Sequence, residues 1–139
     1  MSAFETASKF FHACESLQGW AGCSQYTARD ATFIAQSEPL VDITTVEGYC
    51  EWMAGLGNGP LPGCRYDLHA SAWDDNSGTA LFFATFLAKN SGEGGPVPAT
   101  GKETQSHYVY AITMDGDGKV SKLTKIWNAP WALNELGWG

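Results

Sequence analysis

The chain is poor in cations: its 139 residues hold eight Lys and Arg against fifteen Asp and Glu, for a formal net charge of -7. Gripping a nucleic-acid backbone takes clustered cations that displace condensed counterions, and no basic run exists, so no nucleic acid is expected as a partner. The same charge opposes adsorption to anionic lipid, and no apolar stretch approaches the roughly 20 residues that span a bilayer, so no membrane partner is expected either. Residues 1–20 lack the basic start and unbroken apolar segment of a secretion signal, which makes the cytoplasm the expected location. The four cysteines, Cys14, Cys23, Cys50 and Cys64, show no C-x-x-C spacing and no neighbouring histidine pair. They read as reduced, buried thiols, with no metal site and no disulfide scaffold. No glycine-rich phosphate cradle stands between a strand and a helix, so no cofactor is implied.

What the chain has in abundance is aromatic surface, with six Trp, seven Phe and five Tyr. Such residues build a large core, and an aromatic-lined cavity or a dimer interface are the alternative uses. Ser2 caps a first helix whose Phe4, Ala7, Phe10, Phe11, Cys14 and Leu17 recur at helical spacing. Gly19–Gly22 breaks it, a short segment follows at 24–27, and a strand is expected over 31–36. Thr44 to Glu47 resembles a capping box opening a second long helix, with Trp52 at its side. Arg65–Asp75 alternates, placing Tyr66, Leu68, Ala70 and Ala72 on one face and His69 and Trp73 on the other. Thr79–Lys89, nearly all apolar, reads as a central strand covered on both sides.

The stretch from Gly101 to Gly137 organises the rest. Glu103–Met114 and Val120–Trp127 form a hairpin about Asp115-Gly116-Asp117-Gly118, followed by a short apolar helix. Helices followed by strands argue one α+β domain over residues 1–139, a strongly curved antiparallel sheet wrapped around N-terminal helices as a conical barrel. Such a cone leaves an internal pocket.

The run GEGGPVPATGK at 92–102, DGKV at 117–120 and ALNELGW at 132–138 resemble the SnoaL-like polyketide cyclases of the nuclear-transport-factor-2-like superfamily. The resemblance implies a deep hydrophobic pocket that takes a small hydrophobic molecule, and a homodimer formed through the outer sheet face. In those cyclases an acid/base aspartate follows the aliphatic residue of the DGK turn by five positions, with a second acid three further on. Here the corresponding positions hold Lys125 and Asn128. An ammonium or an amide cannot accept the proton that ring closure releases, so chemistry must come from elsewhere in the pocket.

His107, which the resemblance places at a polar pocket position, is the first candidate for moving a proton. Lys125 has two readings. Simple alternation from Val120 sets it opposite that residue with Leu123 and Trp127, whereas the resemblance sets it in the pocket and then requires a bulge. Enclosed by aromatics, it would be a base or an imine-forming nucleophile. Asn128 caps the last helix or binds a ligand carbonyl, and Asp30 is the one obvious carboxylate near the expected pocket. Tyr26, Phe33, Trp52, Tyr66, Phe83 and Trp131 are the candidate ligand-binding wall. Two functions follow: a cofactor-free acid/base isomerase, cyclase or hydratase acting on a small hydrophobic or polycyclic carbonyl compound, or a non-catalytic ligand-binding or assembly module. Trp73, Leu123 and Trp127 are the expected dimer contacts if they face outward.

Overall fold

The computed structural model describes residues 1–138. Helix α1 spans Ala3–Glu15, α2 Gly19–Cys23 and α3 Val46–Gly57; strands β1 to β5 span Thr27–Ala35, Arg65–Asp74, Thr79–Lys89, Glu103–Met114 and Val120–Trp127; α4 spans Ala129–Leu136. Ser2 opens α1 by accepting a hydrogen bond from the Glu5 amide at 3.1 Å. Thr45, one residue later than the capping box suggests, caps α3 and accepts from Gly48 at 3.0 Å. The break after α1 is a tight corner, where Leu17 and Gly19 take left-handed φ values of 67° and 68°. The chain then re-enters a helix as α2 and passes through a 3₁₀ turn, Ser24–Tyr26, into β1.

The sheet order is β1-β5-β4-β3-β2. Neighbours pair antiparallel except β1, which lies parallel to β5. Helices α1 and α3 fill the concave face, where Phe10, Phe11, Phe82, Tyr49 and Tyr110 are fully buried. Phe11 stacks on Phe82 with ring centroids 4.7 Å apart, and Phe33 stacks on Tyr49 at 4.3 Å. Each such ring, removed from water, contributes about 2 to 3 kcal/mol. The aromatic excess of the sequence is therefore spent chiefly on joining helices to sheet.

Two bulges set which side chains enter this interior. In β5, Met114 pairs with Val120 while Thr113 pairs with Lys122, leaving Ser121 as an extra residue. The extra residue shifts the alternation by one position, so Val120, Leu123 and Lys125 are all buried. In β2 the register shifts between Leu68 and Ala70, which turns Trp73 to the helix side, against Phe4 at 6.3 Å. Trp73, Leu123 and Trp127 thus do not face outward: Trp73 and Trp127 pack on the core, and Leu123 belongs to it. Nor is β3 covered on both sides, since Leu81 and Phe83 are 43% and 42% exposed on the convex face.

Candidate functional site

The interior polar cluster is assembled from α1, α3, β4 and β5. Glu15 ends α1 four residues after Phe11, on the helix's apolar stripe, and is 4% exposed. Tyr108 and Tyr110 alternate on β4 with inward aim, and both hydroxyls reach the carboxylate. Tyr110 Oη donates to Glu15 Oε2 at 2.6 Å, and Tyr108 Oη donates to Oε1. Tyr49 of α3 bonds to Tyr110 through their hydroxyls, and Lys125 Nζ donates to Tyr49 Oη at 2.9 Å. A phenol has one proton to give. Tyr110 spends its proton on Glu15, so it accepts from Tyr49, and Tyr49 in turn accepts from Lys125. The bonds run in one sense, from the ammonium to the carboxylate.

Five aromatic rings surround the ammonium: Trp127 at 4.4 Å, Tyr49 at 5.2 Å, Tyr108 at 5.4 Å, Tyr110 at 5.8 Å and Trp52 at 5.9 Å. Their faces attract the cation but do not replace its hydration shell. Burial accordingly pulls the amine down to about 8, against the opposing pull of the Glu15 charge. Burial pushes the Glu15 carboxyl up, resisted by Lys125 and by both tyrosine hydroxyls. Burial thus works on both partners against the ion pair that their mutual attraction favours.

Of the clefts that reach the rings covering Lys125, two adjoin at Leu133. One, of about 390 Å³, has Trp52, Leu56, Pro60, Leu133 and Trp138 in its walls. The other, of about 720 Å³, has Trp127, Asn128, Pro130 and Leu133. Both are largely apolar, as suits a hydrophobic ligand.

Of the residues expected at the site, Lys125 is interior and Trp52 and Phe33 border its surroundings. Tyr66 is half-buried on Phe11, with its hydroxyl 2.7 Å from His12 Nδ1, and Tyr26 is half-buried at the core's edge. His107 does not enter the cone. It lies exposed on the convex face, its Nδ1 2.8 Å from Thr85 Oγ1, and His69 Nε2 approaches the same hydroxyl at 2.6 Å. His107 shares its strand parity with Val109 and Ala111, whereas the inward parity of β4 belongs to Ser106, Tyr108 and Tyr110. Phe83 stands beside His107 on the outside, 5.8 Å between ring centroids. Asp30 and Asn128 are exposed; Asn128 caps α4, accepting from Trp131 N at 3.3 Å. Trp131 is 55% exposed and lines neither cleft.

Glu15, Tyr49, Tyr108 and Tyr110 are the site residues that sequence reasoning missed. Their signals were present: a carboxylate on an otherwise apolar helix stripe, and two tyrosines at a spacing of two on a strand.

The fold is that of the SnoaL-like proteins of the nuclear-transport-factor-2-like class. A protein assigned as a SnoaL-like polyketide cyclase from Jannaschia sp. CCS1 superposes with a TM-score of 0.77 at 15% identity, covering 99% of this chain and 92% of the other. IdmH from Streptomyces antibioticus, assigned as a polyketide cyclase, gives 0.76 at 15% identity with 99% of both chains covered. A Catenulispora acidiphila protein of ketosteroid isomerase-like fold, in complex with trimethylamine, gives 0.71 at 11% identity, covering 97% of this chain and 94% of the other. No protein-family profile matches the chain, and no curated protein matches it in sequence.

Proposed function

We propose that this protein is a cofactor-free enzyme, working as a homodimer, that moves a proton on a small hydrophobic carbonyl compound, with Lys125 as the base. The observation that carries this reading is the buried amine itself, held among five rings and bonded through Tyr49 and Tyr110 to Glu15. With the amine at about 8, roughly a tenth of the molecules carry it unprotonated at pH 7, enough for a base working near neutrality. The one-way bonds offer its proton a route: Lys125 passes one to Tyr49, Tyr49 to Tyr110 and Tyr110 to Glu15. Each phenol is left as it began. A ligand in the clefts beside Trp52 and Trp127 reaches the amine when one of those rings turns aside. The substrate class is a flat, apolar ketone whose α-protons are acidic, since aromatic walls favour such a shape and an amine near 8 removes such a proton.

Deuterium exchange at the α-carbon of 2-tetralone, followed by proton NMR, tests the proposal. The native protein should speed exchange over buffer, with a rate that climbs as pH rises through about 8, and Lys125→Met should fall to the buffer rate. Exchange no faster than buffer, or equal in the two proteins, overturns it. The alternative reading, a non-catalytic ligand-holding module, is favoured by the aromatic cover that closes over Lys125. It is the outcome if 2-tetralone raises the melting temperature without exchanging its protons.

A further inference from the structure

Beside the lysine cluster, and sharing α1 with Glu15, three helices bring three thiols to one point. Cys14 lies near the end of α1, Cys23 closes α2 and Cys50 sits in α3. Their Sγ atoms all lie within 4.8 Å of one another, with Cys50 Sγ 4.0 Å from Cys14 Sγ. Exposure is 1%, 0% and 0% respectively. Bonds of about 2.3 Å to a central atom hold three sulfurs roughly 3.4 to 4.0 Å apart, the short end for a pyramidal centre and the long end for a planar one, so rotamer shifts close this triangle on a central atom. The fourth cysteine, Cys64, is buried elsewhere and takes no part.

The surroundings select the kind of atom. Three soft sulfur donors reject magnesium and calcium, which seek oxygen. Structural zinc takes four protein ligands, and among the described residues no His, Asp or Glu joins the three sulfurs. Net charge narrows the choice further. Three thiolates around a monovalent ion leave two negative charges in the core, and around a divalent ion they leave one. Unpaired buried charge is costly. The one buried cation among the described residues, Lys125, faces Cys14 as well as buried Glu15, and the Glu15 carboxylate already answers its charge. A trivalent, thiophilic centre leaves no charge at all.

We infer that Cys14, Cys23 and Cys50 form a binding site for trivalent arsenic and its chemical kin. Arsenous acid, As(OH)₃, condenses with three thiols. Three As–O bonds break as three As–S bonds form, each hydroxide leaves with one thiol proton as water, and arsenic stays trivalent throughout, so no oxidant or reductant takes part. The product is a neutral trithiolate that ties α1, α2 and α3 together.

Native mass spectrometry of the reduced protein with sodium arsenite, oxygen and added thiols excluded, tests the site. The expected product gains one arsenic atom and loses three hydrogens. Cys64→Ala should behave identically. Cys14→Ala, Cys23→Ser and Cys50→Ala should each bind about a hundredfold more weakly or worse, because one of three intramolecular bonds is gone. Loss of only two hydrogens, retention of tight binding in Cys23→Ser, or binding of copper(I) with none of arsenite would each overturn the inference. The hydrogen count is read on the native chain, so it stands even where a substituted chain fails to fold.

Discussion

Lys125 carries two opposing energies. Its ammonium is attracted by the faces of Trp127, Trp52 and three tyrosines, yet it has been taken out of water, and the second effect wins, because the amine falls from an ordinary 10.5 to about 8. The consequence for stability has a definite sign. Between about 8 and 10.5 the unfolded chain holds a proton on this lysine that the folded chain has released. The unfolded state therefore binds more protons in that window, and the contribution of this group to stability rises with pH. At neutral pH the buried charge costs on the order of 3 kcal/mol, and the cost fades toward pH 10. The groups facing it are Glu15 and Cys14 from α1, Tyr49 from α3, and Tyr108 and Tyr110 from β4. Substituting Lys125→Met keeps the stem and removes the titrating group. Urea unfolding at a series of pH values should show the variant's stability, relative to the native protein, falling by roughly 2 kcal/mol from pH 7.5 to pH 10. A constant difference across that range would mean that the amine titrates as though exposed.

At the scale of elements, what decides the site is the phase of β5. Its bounds, and those of β3 and β4, are legible from their apolar and β-branched runs and from the Asp115–Gly118 turn, where Gly118 takes a φ of 74° that favours glycine. The helix positions follow from Ser2, the Thr44–Thr45 pair and the apolar spacing. Inward and outward facing is a different matter, because a single extra residue reverses it for everything downstream. Ser121 has no turn chemistry to betray it as that residue, and the resemblance to the cyclases, rather than alternation, points to Lys125 inside. The irregularity near His69 in β2 hides in the same way and sends Trp73 inward. His107 misleads for a related reason. A titratable residue on a strand suggests a pocket, but the interior takes its proton-carrying groups from tyrosines on the opposite parity. Deleting Ser121 tests the bulge. With alternation restored, either Val120 or the set Leu123, Lys125 and Trp127 must leave the core, and the loss of apolar burial alone amounts to several kcal/mol, comparable with the stability of a whole domain. The deletion should abolish near-ultraviolet circular dichroism and leave insoluble chain. A soluble product with native dichroism would show that the bulge is not what aims Lys125.

For the whole molecule, the convex sheet face is the surface left to explain. Leu81, Phe83, Ile34 and Ile126 are 43%, 42%, 45% and 63% exposed, and they lie on neighbouring strands β3, β5 and β1 around the outward positions of β4. Contiguous apolar surface of this kind is uncommon on a monomer and usual at an interface between copies. A second feature suits it to being covered. Thr85, 7% exposed, sits between His69 and His107, with its hydroxyl bonded to both rings. The Thr85 hydroxyl is thereby satisfied, while Nδ1 of His69 and Nε2 of His107 are left to bond across an interface. A dimer through this face would use these residues rather than Trp73, Leu123 and Trp127, which all turn inward. Replacing Phe83 with Lys places a charge at the centre of the patch while touching nothing in the core, so the fold should keep its melting temperature to within about 2 to 4 °C. Light scattering at micromolar concentration should give a dimer mass for the native protein and a monomer mass for Phe83→Lys, because a desolvated, unpaired ammonium facing its own symmetry mate opposes association. A native protein that already scatters as a monomer would refute the dimer. One that stays dimeric after the substitution would move the interface off this face.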